Sequence, residues 1–449
     1  MSLSLQFLGA VGGVTGSNFL ARTDTQAFLI DCGLFQGNSQ NRAHNDEPFA
    51  YDPKEIDFLI LTHAHLDHCG LIPKLYHQGF RGKIYCTPAT AELAKEILSD
   101  SAHIREHGAN ELQIEALFSY QDTLDAFKLF KTYNYNQPFK DGEIKICLQD
   151  AGHILGSAMV EVWASGKKLV FTGDLGNSPV PILRDPTKIL EADYVVSEST
   201  YGSRLHEAVD LRSKKLVTAI EYAQRHKAKI IIPSFALERT QDLLYILNQL
   251  KNQKKFTNLP VFLDSPLAGR ITAIYKKYTP LFDEEFQKQL KSDPDLFSFK
   301  GFKETATRTE SMALNDLVGP AIYIAGSGMA DAGRVQHHIL HQGNNPNNQI
   351  IFVGFQVPGT LGRKLVDGLT RVRVMDHFIT VKAKIGSINA FSAHADQKGV
   401  LNWLNNFKTQ PTVFLVHGEQ KSREILAEKI TKQLKLKAIL PKLKQTIDL

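Results

Sequence analysis

The chain has 449 residues, 43% of them hydrophobic, long enough for two domains or for one with a large insertion, each with its own core. Its 52 basic and 47 acidic side chains leave a formal charge of +5, too small by itself to announce a polyanionic partner. There is no apolar run of membrane-spanning length, no basic start and long apolar stretch in Met1 to Gly13, and no C-x-x-C among Cys32, Cys69, Cys86 and Cys147, so a cytoplasmic protein with reduced thiols and no membrane contact is expected.

Leu3 to Leu8 alternates as a strand, a glycine-rich turn follows from Gly9 to Ser17, and Asn18 to Arg22 and Gln26 to Ile30 read as strands again. The glycines precede a strand, whereas a dinucleotide fingerprint needs a helix there, which excludes NAD binding. The meander ends at Asp31-Cys32-Gly33, a carboxylate at a strand terminus, suited to orienting a ligand histidine.

Ile56 to Leu61 reads as a buried strand and Gly70 to Gln78 as a short helix, and between them lies Thr62-His63-Ala64-His65-Leu66-Asp67-His68. Three imidazoles and a carboxylate in six residues are metal ligands by chemical type. His63 and His65, two apart in extended chain, point the same way, whereas Asp67 and His68 lie past the bend and face a neighbouring position. Two metals fit this better than one. A solvated polar loop accounts poorly for such a cluster behind an apolar strand.

Residues 88 to 130 read as helical, opening at Thr87-Pro88 with a cap and a proline in the first turn. Within them His103-Ile104-Arg105-Glu106-His107 matches an inverted zinc-protease motif, a pattern that charged helices also produce by chance. The fuller ligand set elsewhere argues against a protease. Strands return over Glu143 to Gln149, Ala158 to Trp163 and Lys168 to Thr172, with His153 beyond the first and Asp174 beyond the third. The two oxygens of Asp174 suit a bridge between two metals. Asp193 to Ser197 is a further apolar strand, and it ends in Glu198.

From about Leu205 helices and strands alternate: a helix to Arg225, a strand Lys229 to Ile232, a helix Glu238 to Leu250 and a strand Pro260 to Leu263. That is α/β with a parallel sheet. Ser234, Ser265, Ser327, Gln356 and Thr360 follow its strands, and with Arg334 they are the candidates for holding substrate phosphate, since hydroxyls and glycines before helix N-termini favour anions. The same residues cap helices everywhere. His337, His338 and His341 read as helix packing. Beyond Lys384 strands resume, and His394 and His417 each follow an apolar one, His417 being placed to complete a second metal site. Lys429 to Leu449 carries six lysines and one acid, a solvated face or a track for a phosphate backbone.

Taken together, Asp31, His63-x-His65-x-Asp67-His68, His153, Asp174, Glu198, His394 and His417 resemble the metallo-β-lactamase superfamily, in its β-CASP nuclease branch, over the whole chain. The resemblance implies an αββα sandwich from 1 to 205 and from 384 to 449, interrupted by an α/β β-CASP cap from 206 to 383. It assigns His63, His65 and His153 to one zinc and Asp67, His68 and His417 to the other, with Asp174 bridging, Asp31 in support, and Asp67, Glu198 and His394 as the catalytic set. Histidine rather than valine at 417 points to RNA over DNA. The stretches Ser327-Gly328-Met329 with Gly333-Arg334, and Gly354-Phe355-Gln356 with Gly359 to Arg363, also resemble the branch's cap motifs, although Ala332 and Glu238 depart from them.

The expected activity is hydrolysis of single-stranded RNA by a hydroxide held between two zincs roughly 3.5 to 4 Å apart. Endonuclease and 5′-exonuclease action are both left open, as is a homodimer. A small-molecule metallo-hydrolase would share the metals but needs no cap of this size, and an inactive RNA-binding scaffold would have lost ligands that this chain keeps.

Overall fold

The structure, a computed structural model, describes residues 2–112, 117–354 and 356–449, and the side chains of all of these except 107–112 and 389. Phe355 of the glycine-flanked cap stretch and the side chain of His107 therefore lie outside the described residues. The chain divides into two compact units, Met1–Leu205 with Ala393–Leu449, and His206–Ser392.

The first unit is built on two seven-stranded sheets. In spatial order the first runs Thr446–Asp448, Leu3–Phe7, Phe19–Thr23, Ala27–Ile30, Phe58–Ile60, Lys83–Cys86 and Phe130–Thr132. The second runs Ala438–Ile439, Thr412–Val416, Tyr194–Glu198, Lys167–Phe171, Ala158–Ala164, Ile144–Asp150 and Phe139–Asp141. Alternation of period two sends Leu3, Leu5 and Phe7 inward from the first sheet, where they join Val160, Val162, Phe171 and Phe414 of the second in one core. Phe7 meets Phe414 at a ring separation of 5.5 Å across that core, and Phe19 meets Phe171 at 6.3 Å.

The outer face of the second sheet, through Met159, Val170, Val195 and Leu415, is covered by Val400, Trp403 and Leu404 of the helix Gln397–Leu404 and by Leu426 of the helix Gln420–Lys429. On the first sheet the outward Leu29, Leu59 and Ile84 are equally buried. This is the αββα sandwich expected.

The change from antiparallel to parallel pairing positions the site. Ala27–Ile30 runs parallel to Phe58–Ile60, and Lys167–Phe171, Tyr194–Glu198 and Thr412–Val416 are parallel to one another. Within each set the carboxyl ends open on one edge, and there the chain places Asp31, the histidine cluster, Asp174, Glu198 and His417.

The second unit has six parallel strands in the order Phe302–Glu304, Val261–Asp264, Ala321–Ala325, Lys229–Pro233, Gln349–Phe352 and Lys384–Ser387, with helices between them and an antiparallel hairpin of Arg371–Val374 and His377–Thr380. Its edge strand corrects one expectation. Lys384–Ser387 pairs with Gln349–Phe352, so Lys384 to Ser392 stay with the inserted unit instead of opening the second part of the sandwich. The helical reading of residues 88 to 130 is also too simple. The helix Pro88–Leu112 starts as expected, with Thr87 Oγ1 accepting the Thr90 N–H at 3.2 Å, but Ser119 and Asp122 form a capping box that begins a separate helix, Tyr120–Ala126, before the strand Phe130–Thr132. Among the described residues no helix is long and apolar enough to cross a membrane.

Candidate metal centre

The histidine cluster leaves the sheet where Phe58–Ile60 ends. His65 becomes the residue before a one-turn helix, Leu66–Cys69, and its carbonyl accepts the His68 and Cys69 N–H groups at 2.9 Å. That turn is stitched to the loop after Asp31, since Leu34 N–H donates to Leu66 O and Cys32 N–H to His68 O, and to the glycine-rich turn, since Ser17 N–H donates to Asp67 O, each at 2.8 Å. The loop carrying His153 is held by Ser157, whose hydroxyl accepts the His153 and Ile154 N–H groups, and by Thr87 and Thr90, which both donate to Gly156 O. Gly173 has φ +52°, and a Cβ there would lie 2.8 Å from Thr62, so glycine lets Asp174 turn in beside the cluster. Asp31 and His417 take positive φ themselves, +59° and +47°, a strain of about 1–3 kcal/mol each that the surrounding bonds hold.

Four donor atoms converge first. His65 Nδ1 lies 3.1 Å from His63 Nε2 and 3.2 Å from His153 Nε2, and both of those nitrogens are 3.4 Å from Asp174 Oδ2. Burial pushes His63 down to about 3 and His65 to about 4, and takes His153 well below the ordinary imidazole range. Neutral imidazole is the form that ligates metal.

Asp67, His68 and His417 form the adjoining group, with donor atoms within 4.8 Å of one another. His68 Nε2 is 3.3 Å from Asp174 Oδ1, His417 Nε2 is 3.5 Å from Asp67 Oδ2, and His417 Nδ1 is 3.5 Å from Asp174 Oδ1. The two oxygens of Asp174 thus face different groups. Burial opposes ionisation of Asp67 and Asp174, yet His417 and His68 outweigh it and hold both well below the carboxylate range. Burial would likewise depress His68, but Asp174 and Asp31 reverse that and raise it well above its usual value. The site concentrates negative charge in a dry setting. Asp174 Oδ1 and His417 Nε2 are also buried without a hydrogen-bond partner, which is costly unless a cation meets them. Lone pairs of imidazole and carboxylate gathered in this way fit a bound metal ion.

The partners behind these ligands fix their tautomers. Thr62 donates its N–H to Asp31 Oδ1 and its hydroxyl to Asp31 Oδ2, both at 2.8 Å, so its oxygen accepts from His63 Nδ1–H at 3.0 Å and Nε2 is left as the lone pair. His68 Nδ1–H donates to Asp31 Oδ2 at 2.7 Å. Thr200 Oγ1 donates to the His417 carbonyl at 3.0 Å and receives His417 Nδ1–H at 3.1 Å. Asp31 thus bonds His68 directly and reaches His63 through Thr62. Thr62 and Thr200 were missed from sequence. Their signal was a hydroxyl beside a candidate ligand, Thr62 before His63, or two residues beyond the acidic Glu198, too common a pairing to single out.

Glu198 and His394 sit beside the centre. The Glu198 carboxylate is fully buried, accepts the Leu175 N–H at 2.6 Å, and lies 3.1 and 3.2 Å from His394 Nδ1. His394 Nδ1 is 3.8 Å from Asp174 Oδ2, and its side chain keeps 21% of its surface exposed, whereas Glu198 keeps none. The chain reaches this point through Ala395 N–H, which donates to Leu175 O, and Asn177 N–H, which donates to Ala393 O.

The phosphate candidates all belong to the other unit, at the carboxyl ends of its parallel strands. Their polar atoms serve that unit's loops. Ser265 and Thr360 cap the helices Pro266–Lys277 and Leu361–Val366, Ser327 Oγ accepts the Ala332 N–H, Ser234 Oγ accepts from Thr240, and Gln356 donates to Gly328 O and Gly354 O. Arg334, the charged member of the set, is paired with Asp264 at 2.7 Å and donates to Thr305 O and Ala306 O. His338 donates to the same Asp264 at 2.7 Å, in keeping with helix packing. All four cysteines are buried and unpaired by disulfides, and burial pushes the Cys32 thiol up to about 12.

Comparison with known proteins bears on the whole chain. Residues 11–233 match the metallo-beta-lactamase superfamily, 240–365 the Beta-Casp domain and 379–441 the Zn-dependent metallo-hydrolase RNA specificity domain. Ribonuclease TTHA0252 of Thermus thermophilus is 36% identical over 92% of both chains. The RNase J-like protein of Methanocaldococcus jannaschii is 30% identical over 97% of both, and the transcription termination factor FttA of that organism is 29% identical over 98% of this chain and 70% of its own. A solved structure from Enterococcus faecalis, a protein of unknown function, superposes with a TM-score of 0.57 over the full length of both chains at 12% identity, a likeness of fold.

Proposed function

The chain belongs to the β-CASP branch of the metallo-β-lactamase superfamily, and from that premise we propose that it is a zinc-dependent ribonuclease hydrolysing phosphodiester bonds of single-stranded RNA. One observation supports the reading most: two buried ligand groups face opposite oxygens of one carboxylate, Asp174, and an acid–imidazole pair, Glu198 and His394, stands next to it. Two zinc ions held by His63, His65 and His153 and by Asp67, His68 and His417, with Asp174 reaching both, would supply Lewis-acid stabilisation of the phosphoryl oxygens and an activated water.

The chain's own residues do the rest. Asp31, Thr62 and Thr200 lock three imidazoles in the tautomer that presents Nε2 inward. Glu198 holds His394 by Nδ1, which orients the ring and favours its charged form, so that Nε2 is the nitrogen that delivers a proton to the departing 3′ oxygen. That oxygen is a poor leaving group as an alkoxide, and protonation is what it needs. RNA is favoured over a small-molecule ester by the match to an RNA specificity domain across residues 379–441.

The test is digestion of 5′- and 3′-labelled RNA, with matched DNA and circular RNA, beside zinc quantification. Cleavage of the RNA strands and sparing of DNA is expected, and cutting of circular RNA would identify endonuclease action. Equal cleavage of DNA and RNA would overturn the substrate assignment.

A further inference from the structure

Next to the metal centre, in the same unit, lies a cavity of about 70 Å³. It exceeds several-fold the roughly 10–15 Å³ that one water needs. Its walls are aromatic: Phe35, Phe49 and Tyr51 line it, with the Phe49 and Tyr51 rings stacked at 5.2 Å. Its polar groups are buried. Lys74, only 2% exposed, donates from Nζ to the carbonyls of Asn45 and Glu47, both at 2.6 Å, and its third N–H has only the Phe49 ring of the pocket wall, 5.1 Å from Nζ to the centroid, beside it. Asn18, 6% exposed, donates from Nδ2 to Tyr51 Oη at 3.0 Å, while its Oδ1 is buried with no hydrogen-bond partner. A buried acceptor without a donor is costly, and a ligand that donates to it removes that cost. The pocket therefore offers flat apolar walls, one acceptor and one cationic donor.

It is tied to the catalytic loop. Gly33 lines the cavity, its N–H donates to Ser17 O, and Ser17 N–H donates to the carbonyl of Asp67. A Cβ on Gly33 would lie 1.7 Å from that same carbonyl, so pocket wall and ligand turn are in direct contact.

We propose that this cavity takes one nucleobase of the RNA chain, stacked on its aromatic wall and hydrogen-bonded by Asn18 and Lys74, as a subsite beside the scissile phosphate. A base suits it because every base carries a π face together with both donor and acceptor edge groups, whereas a phosphate would leave Asn18 Oδ1 facing negative charge. This rests on the ribonuclease reading.

The experiment crosslinks the zinc-loaded protein to single-stranded RNA carrying 4-thiouridine or 6-thioguanosine at successive positions, and measures RNA affinity by fluorescence anisotropy for the parent and for Phe35→Leu. Crosslinks in the peptide from Phe35 to Tyr51 from one position, with about 5- to 100-fold weaker binding by Phe35→Leu at the parent's melting temperature, are expected from the loss of one base–aromatic stack. RNA that is bound and cut but crosslinks only elsewhere, with unchanged affinity in Phe35→Leu, overturns the subsite and leaves the ribonuclease standing. Absence of any RNA binding by the parent removes both.

Discussion

His394 Nδ1 lies 3.1 Å from Oε1 of Glu198, a carboxylate with no solvent exposure whose other contacts are backbone N–H groups. A buried carboxylate held in this way orients the ring and stabilises it when charged.

Loss of the His394 imidazole should therefore slow RNA cleavage by about 10²- to 10⁴-fold at unchanged zinc content. Bis(p-nitrophenyl) phosphate, whose leaving group departs without a proton, should be nearly indifferent to His394→Ala, and Glu198→Gln should show the same split more mildly. Equal losses on both substrates would overturn the general-acid role, and a missing zinc would make His394 a ligand instead, a role open to it because Asp174, Glu198, His394 and His417 also gather within 4.8 Å.

Asp174 faces both ligand groups, so Asp174→Asn should abolish cleavage and lower the metal content from about two zincs per chain. Elemental analysis alongside circular dichroism checks this. A variant that retains both ions would deny the bridge.

Thr62→Val removes the hydroxyl that receives His63 Nδ1–H and bonds Asp31, while keeping the side-chain shape. Zinc affinity or activity should fall about 10- to 100-fold, as is usual for a partner behind a ligand. Competition with a chelating dye measures the affinity, and Thr62→Ser should restore most of it.

In the second unit, burial opposes ionisation of Asp264, but His338, Thr305, Ser311 and Arg334 outweigh it and hold its carboxyl below the ordinary range. A depressed value stabilises the fold above about pH 4 and the contribution is lost as pH falls towards the folded-state value. Asp264→Asn should cost roughly 2–4 kcal/mol near neutrality, and its stability should fall less steeply than the parent's between pH 5 and 3. Urea titrations across that range would decide it. Parallel curves for the two proteins would place the acid sensitivity elsewhere.

Much of the centre was legible because a polar residue that follows an apolar strand has few other reasons to be there. His63 to His68, His153, Asp174 and His417 lie just beyond strands and Glu198 is the last residue of one, and parallel pairing gathers those ends. The change to α/β grammar near Leu205 marked the first boundary for the same reason. The return was harder. Lys384–Ser387 is a four-residue strand with a glycine, and only its partner, Gln349–Phe352, reveals which sheet owns it. The pairing of Arg334 with Asp264 was not legible either, because a glycine-arginine motif announces an anion without saying which one.

The candidate ligands are shared between segments on either side of the inserted unit, with His153 and Asp174 before it and His417 after. Synthesis on the ribosome is vectorial and slow compared with local folding, so the second ligand group stays incomplete until the whole insertion has been made. A nascent chain therefore emerges beside its own messenger without a finished cutting site. Ribosome-bound chains stalled before His417 should fail to cleave RNA, whereas chains stalled after the last strand on an added linker should cleave it.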